Sequence, residues 1–285
     1  MIEDVGIEDA EMAYAKINLA LHVRARNADG YHDIETLFAF AADGDRLTAT
    51  PAETLSLSIS GPFGAALAGE GDNLVLRAAR SLQAAYGVAT GAALALDKRL
   101  PIASGIGGGS ADAAAALRLL SRLWDLPRED ARTTAIAASL GADVPACLIS
   151  RSCRGTGRGD VLVEIDDPEL ADMPLLLVNP GVAVPTGPVF AAWDGIDRGA
   201  LVEGPAIASA LSGRNDLEAP ARKLAPVIDA LVALLRAQPG VRLARMSGSG
   251  ATCFALFDDI AARDSADGAI AAAMPECWRL KTILI

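Results

Sequence analysis

A chain of 285 residues, 52% hydrophobic and 21% charged, is long enough for about two domains with cores of their own, and its composition excludes disorder, collagen and low-complexity scaffolds. A net charge of −11 with 4% aromatic residues excludes a general nucleic-acid binder, which needs cations for phosphates and rings for bases. Four cysteines without a CxxC pair and two histidines argue against structural zinc or a disulfide frame, while an acidic MIEDVGIEDAE start and apolar runs short of about 18 residues point to a reduced, cytoplasmic protein without a membrane span.

From Ala13 to Arg26 apolar residues alternate with Lys16, Asn18 and His22, the two-residue period of a half-buried strand, which puts Tyr14, Lys16 and Asn18 on one face. The turn Asn27-Ala-Asp-Gly30 leads to a second strand over Tyr31–Phe40, closed by Asp43-Gly-Asp45, and Leu47–Ser60 alternates again. Asp72-Asn73 starts a helix with apolar residues at Leu74, Val75, Ala78, Ala79 and Leu82, which Gly87 ends. A short strand over Ala92–Leu96, a glycine loop over Pro101–Ser110 and an Ala/Leu helix over about Asp112–Trp124 follow in succession. Another helix spans about Arg128–Leu140, Gly141–Pro145 is a turn, and Val161–Ile165 is a strand.

The stretch Asp166-Asp-Pro168 through Met173-Pro174 has linker chemistry, so the expected domains are 1–167 and 174–285. The second begins with a buried-type strand over Leu175–Val178, followed by turns at Asn179-Pro-Gly181 and Val184-Pro-Thr186-Gly-Pro188. Helices are expected at about Val189–Trp193, Val202–Leu211 and Glu218–Ala237, the last restarted at Pro226. Met246-Ser-Gly248-Ser-Gly250 leads into a strand over Ala251–Phe257, and a helix over about Ile260–Met274 and a strand over Leu280–Leu284 finish the chain.

The glycine loop is the richest stretch. Gly105, Gly107, Gly108 and Gly109 place bare backbone just ahead of a helix, where unpaired N–H groups and the positive dipole end favour an anion such as phosphate. A Walker A loop is excluded because no Gly-Lys-Ser/Thr follows. The dinucleotide fingerprint fits poorly: Ser110 takes its third glycine position, and Asp125 falls where a helix ends before Pro127. The protein-kinase loop lacks its companion motifs. Close packing of strand on helix also accounts for such glycines, so the loop alone supports phosphate binding and nothing finer.

Three segments together carry more. PIASGIGGGSADAA resembles the central motif of the GHMP kinase superfamily, and AYAKINLAL and MSGSGATCFALF resemble its N-terminal lysine strand and its third, glycine-containing motif. The run AYAKINLALHVRARNADGYHDIETLF, followed in order by DNLVLRAARSL, LDKRLP, LGADVPACL, VAVPTGPVF and RNDLE, is similar to one branch nearly end to end. That branch acts on 4-diphosphocytidyl-2-C-methyl-D-erythritol in the non-mevalonate isoprenoid pathway. The resemblance implies a two-domain α+β GHMP kinase fold, with an N-terminal ATP-binding domain and a C-terminal ferredoxin-like domain enclosing a cleft. It also implies transfer of the γ-phosphoryl group of ATP, accompanied by Mg²⁺, to the 2-hydroxyl of that acceptor. The partners implied are small molecules, not nucleic acid or membrane, for a chain that is a monomer or weak homodimer.

By the same resemblance Lys16 and Asp143 are the catalytic pair, the aspartate accepting the hydroxyl proton and the lysine balancing the developing charge. Pro101, Gly105, Ile106, Gly107, Gly108, Gly109, Ser110 and Ala111 surround the ATP phosphates, and Asn73 and Lys98 lie near the adenine end. Ala111 stands where many superfamily members carry a second hydroxyl residue, so no protein ligand is assigned to Mg²⁺. Asn18 lines the acceptor site, Tyr31 stacks on the cytosine, His32 hydrogen-bonds to it, Phe190 is the opposing ring, and Thr186 supports the acceptor. Gly248, Ser249 and Gly250 form the third motif. Asp112 is expected to cap the helix after the loop, and Lys16, Lys98 and Arg99 to offset the negative net charge locally. A mevalonate or homoserine kinase would share the loop without the cytosine residues, and a non-catalytic nucleotide-binding protein would have no need of Lys16 and Asp143.

Overall fold

The computed structural model describes residues 9–67, 73–127 and 130–285, so the acidic start before residue 9, Asp72 and Arg128 lie outside the described residues. In chain order the elements are β1 (Asp9–Arg26), β2 (His32–Ala52), β3 (Ser56–Ser60), α1 (Leu74–Tyr86), β4 (Gly91–Asp97), α2 (Gly108–Leu123), α3 (Ala131–Leu140), α4 (Val144–Ile149), β5 (Cys153–Thr156), β6 (Val161–Glu164) and β7 (Pro174–Asn179). They continue with α5 (Thr186–Ala191), α6 (Ala206–Ser212), α7 (Glu218–Leu224), α8 (Val227–Arg236), β8 (Val241–Met246), β9 (Cys253–Phe257), α9 (Ile260–Ala273) and β10 (Trp278–Ile283).

Two compact units form, one from the described residues of 1–15, 43–102 and 108–149, the other from 16–42, 103–107 and 150–285. This partition differs from a single boundary near residues 168–173, because β1 and β2 are long enough to carry residues of both units. In the first unit Arg46–Ala52 of β2 pair antiparallel with β4, and β4 pairs parallel with β3. The helix α2 is alanine-rich and buried over Ala111–Leu117, Leu119 and Leu120, as befits a helix that is apolar almost all round. Asn73 caps α1 by accepting the Val75 N–H at 2.8 Å, and Gly87 ends it in the left-handed region at φ 67°.

In the second unit β7, β8, β9 and β10 form an antiparallel sheet in the order β10-β7-β9-β8. With α5 to α8 between β7 and β8, and α9 between β9 and β10, this is the ferredoxin-like βαββαβ pattern. Its core packs Leu176, Val178, Cys253 and Phe257 against Ile228, Leu231 and Leu235 of α8 and Ile270 of α9. Elsewhere in the unit Thr36–Phe38 of β2 pair with β5, and β5 with β6.

Three sequence expectations change. The strand carrying Lys16 is buried on both faces, with Lys16, Asn18 and His22 all below 4% exposure, so it is not half-buried. Asp43-Gly-Asp45 is not a turn: β2 runs through it, because Gly44 lies where a Cβ would strike the backbone of Ala13, and Asp45 is fully buried. The helix after the loop starts at Gly108, four residues earlier than its alanine pattern suggests, since glycines disguise a first turn. Two short strands, β5 and β8, have no counterpart in the sequence reading.

Candidate active site

The three motifs meet in the second unit, and they meet through backbone and small groups. The Lys16 N–H donates to the Ile106 carbonyl at 3.0 Å, which fastens the lysine strand to the glycine loop. A Cβ on Gly107, at φ +66°, would lie 3.1 Å from Lys16 Cε, so only glycine lets the lysine stem lie against the loop without displacement. The Ser247 hydroxyl donates to the Gly105 carbonyl at 2.9 Å and accepts the Asn18 N–H at 3.1 Å, while Thr252 N–H donates to the Ser104 carbonyl at 3.0 Å. Gly105, at φ +79°, has room for no side chain: a Cβ would lie 2.5 Å from the Ser247 carbonyl oxygen. A Cβ on Gly248 would lie 2.9 Å from the Gly105 carbonyl oxygen. The Asn215 amide donates to the Met246 and Gly248 carbonyls at 2.8 Å each, bracing the third motif from the RNDLE segment.

Lys16 is 3% exposed. Its ammonium donates to Asn18 Oδ1 at 3.0 Å and lies 4.7 Å from the centre of the Phe38 ring. Asn18 Nδ2 donates to Thr36 Oγ1 at 2.8 Å, and the Thr36 hydroxyl donates to the Ala20 carbonyl at 2.7 Å. This chain of bonds fixes the amide so that its oxygen faces the ammonium. Arg245 supports the strand from behind, its guanidinium donating to the carbonyls of Leu19, Ala210 and Gly213, with burial holding its pKa down at about 10.

In the first unit the loop continues as the first turn of α2, with Gly109 exposed, Gly108 and Ser110 half-buried and Ala111 buried. Beneath it Lys98 is 2% exposed, and its ammonium donates to Asp45 Oδ2 and Asp112 Oδ2 at 2.6 Å each. Asp45 also accepts the N–H groups of Arg99 and Leu100 at 2.5 and 2.8 Å. A Cβ on Gly108 would lie 3.1 Å from Lys98 Nζ, so the buried ion group abuts the start of the helix. Asp112 is therefore an interior partner of Lys98 rather than a helix cap, and burial, against the pull of Lys98, pushes its carboxyl up to about 7. Lys98 and Arg99 do not supply uncompensated positive charge: the first is held by two carboxylates and the second pairs with Asp97 at 2.6 Å. Asn73 spends its side-chain oxygen on the α1 cap, and Pro101 is buried. Asp143 stands at the head of α4, where its carbonyl accepts the Cys147 N–H at 3.0 Å.

The residues expected around a base lie in the second unit. His32 is 7% exposed, with the Phe190 ring 5.0 Å away at 37° and the Trp193 ring 5.7 Å away edge-on at 83°. Burial, and after it the Arg26 charge, hold the imidazole below its ordinary value, so it is neutral at pH 7. His32 Nε2 and Trp193 Nε1 are both buried without a hydrogen-bond partner. Tyr31 is 55% exposed, with the Arg158 guanidinium 3.9 Å from its ring centre. The Thr186 and Ser249 hydroxyls hydrogen-bond to each other at 3.0 Å, joining the substrate segment to the third motif. His22, by contrast, has both ring nitrogens occupied, by the Gly199 carbonyl and the Arg214 N–H, in keeping with a structural histidine. Trp193, Arg158 and Asp45 escape the sequence reading. Trp193 follows Phe190 by one helical step, a usable signal, whereas Arg158 and Asp45 sit 127 and 53 positions from their partners Tyr31 and Lys98 and leave none.

Comparison with known proteins identifies the family. The GHMP kinases N-terminal domain model matches residues 73–151, and the GHMP kinases C-terminal model matches residues 200–279. A 4-diphosphocytidyl-2-C-methyl-D-erythritol kinase of Rhizorhabdus wittichii is 62% identical over 281 residues, covering 98% of this chain and 96% of that one. The protein of that name from Novosphingobium aromaticivorans is 54% identical over 268 residues, covering 94% and 90%. Among solved structures, a 4-(cytidine 5'-diphospho)-2C-methyl-D-erythritol kinase superposes with a TM-score of 0.79 at 36% identity, over 97% of this chain and 99% of that one. A homoserine kinase from Cytophaga hutchinsonii reaches a TM-score of 0.69 over the full length of both chains at 16% identity, which shows the fold alone. At these identities and coverages, the chain belongs to the 4-diphosphocytidyl-2-C-methyl-D-erythritol kinase family of the GHMP kinases.

Proposed function

We propose that this chain is an ATP-dependent kinase that moves the γ-phosphoryl group of ATP to the 2-hydroxyl of 4-diphosphocytidyl-2-C-methyl-D-erythritol. The observation that carries the reading is the seating of Lys16 against Gly107: a buried ammonium is built into the wall of a glycine loop that opens a helix. Backbone N–H groups of Gly107, Gly108, Gly109 and Ser110 hold the phosphate oxygens, and the α2 dipole adds to their field. Phosphoryl transfer depends mainly on positioning and charge stabilisation, which this frame supplies.

In the reaction Asp143 accepts the proton of the acceptor hydroxyl as its oxygen attacks the γ-phosphorus, and the bond from that phosphorus to the bridging oxygen of ADP breaks. Lys16 stabilises negative charge on the transferring group, with Asn18 fixing the direction of its ammonium. Asn18 also faces the acceptor alcohol, and Thr186, held by Ser249, steadies the acceptor chain. Tyr31 and Phe190 stack on the cytosine, while neutral His32 offers its unpartnered Nε2 to the base edge. Asn73 and the backbone at Lys98 border the adenine end.

Among the described residues no three His, Cys, Asp or Glu side chains gather as a metal cage. Mg²⁺ accompanying ATP would screen the charge of the phosphates. A small-molecule acceptor, a cytoplasmic setting and a monomeric or weakly dimeric chain accompany this reading. Among the described residues no helix is long and apolar enough to cross a membrane.

The test is turnover of purified protein with ATP, Mg²⁺ and each of three acceptors: the cytidyl substrate, mevalonate and homoserine. The reading predicts a 2-phosphate product from the first and background rates from the others. Equal rates on all three would remove the specificity assignment, and no turnover of the first would remove the function.

A further inference from the structure

The turn between β5 and β6 comes to lie beside the start of β2 for reasons visible in its glycines. A Cβ on Gly155 would lie 2.9 Å from the Phe38 ring, and one on Gly159, at φ +94°, would lie 3.2 Å from Ile34 Cδ1. The Ile34 N–H donates to the Gly157 carbonyl at 2.7 Å, so the turn is stitched to β2 two residues past His32. Within the turn the Gly159 N–H donates to the Thr156 carbonyl at 3.0 Å, and the Arg158 N–H donates to Asp160 Oδ1 at 3.1 Å. Arg158 is thereby aimed at Tyr31 by backbone that has little freedom.

The opposite side is equally fixed. Asn27 N–H donates to the Tyr31 carbonyl at 2.8 Å, Gly30 N–H donates to the Asn27 carbonyl at 3.0 Å, and Tyr31 N–H donates to Asp29 Oδ1 at 3.0 Å. The second oxygen of Asp29 accepts from Arg158 Nη2 at 2.7 Å. One carboxylate thus ties both the Tyr31 backbone and the guanidinium that lies 3.9 Å over the Tyr31 ring. With one face covered, Tyr31 still exposes 55% of its surface, which leaves its other face open.

We propose that Arg158 is a positioning residue for base recognition, holding the Tyr31 ring in the orientation that presents its free face to a pyrimidine. The inference rests on the reading of Tyr31 as a stacking residue. An exposed tyrosine otherwise samples several rotamers, and ordering it on binding costs affinity. A guanidinium stacked beforehand removes part of that cost. The ion pair with Asp29 is exposed and worth little alone, so its part is to aim the guanidinium.

The effect expected from an exposed cation–π contact is modest and specific. Arg158→Ala raises KM for the cytidyl substrate about two- to fivefold, leaves KM for ATP in place, and acts on KM rather than kcat. Arg158→Lys, which keeps a cation over the ring, restores most of the loss. In a Tyr31→Leu background Arg158→Ala adds nothing further, because its effect runs through the ring. The inference is overturned if Arg158→Ala leaves the cytidyl KM at its original value. It is equally overturned if the shift persists without Tyr31, which would mean that Arg158 touches the substrate itself. Absence of cytidyl turnover in the unmodified chain would instead remove the proposed function, and this inference with it.

Discussion

Around Gly105 and Gly107 the chain meets itself backbone to backbone, with a serine hydroxyl, an amide and a lysine stem filling the gaps. Around His32 it meets ring to ring, with Phe190, Trp193 and the Tyr31–Arg158 pair drawn from the start of β2, from α5 and the residues just after it, and from the β5–β6 turn. In the proposed function the first arrangement reads no chemical identity beyond an anion, because N–H groups and a helix dipole recognise charge and little else. The second leaves buried polar atoms, His32 Nε2 and Trp193 Nε1, without partners, and a site of that kind rejects ligands that cannot satisfy them.

Substitutions that strike one region and spare the other test that division. Lys16→Met and Asp143→Asn should each lower kcat by roughly 10²–10⁴ with the fold intact by circular dichroism, since they remove charge and proton handling at the reacting groups. Unaltered turnover in either would refute its assignment. Tyr31→Ala or Phe190→Ala should raise KM for the cytidyl substrate by about 5- to 150-fold, the equivalent of roughly 1–3 kcal/mol of stacking, without moving KM for ATP. A matching rise in both KM values would merge the two regions. Gly105→Ala should do the reverse. A Cβ there meets the Ser247 carbonyl at 2.5 Å with φ at +79°, so a loss of about 1–3 kcal/mol in stability and tenfold or more in kcat/KM for ATP is expected.

The smallest effect concerns pH. Asp112, pushed up to about 7, keeps its proton in the folded chain over a range where the unfolded chain, at 3.8, has lost it. The folded state therefore binds more protons, and this group weakens folding as pH rises from about 4 to 7. Asp112→Asn removes that slope and leaves Asp45 to pair with Lys98, so the Tm of the variant relative to the original should climb by about 2–4 °C between pH 5 and 8. A difference flat in pH would show that Asp112 is ionised throughout.

The two regions also differed in what the residues alone made legible. Motif-borne features read directly: the glycine loop, the Lys16 strand, the Asn73 cap, the α9 helix and the third motif each depend on local chemistry and spacing. Features made by distant partners did not. Asp43-Gly-Asp45 has the composition of a turn, yet Gly44 is there for contact with Ala13, and Asp45 for an ammonium 53 positions away. The strands β5 and β8 are short and carry arginines, so their pairing, not their pattern, makes them strands. Phe190 and His32 were named through the resemblance and Trp193 had its spacing from Phe190 as a signal, whereas Arg158 became visible only as a neighbour in space.

The account stands most directly on one titration: amide spectra of ¹⁵N-labelled protein with ATP and, separately, with a cytidine diphosphate probe. ATP is expected to move the amides of Gly105, Gly107, Gly108, Gly109 and Ser110, and the cytidine probe those of Tyr31, His32 and Trp193 with its indole N–H. If ATP leaves the loop amides in place while shifting resonances elsewhere, the glycine loop is not the phosphate grip and the division of labour drawn from it is wrong.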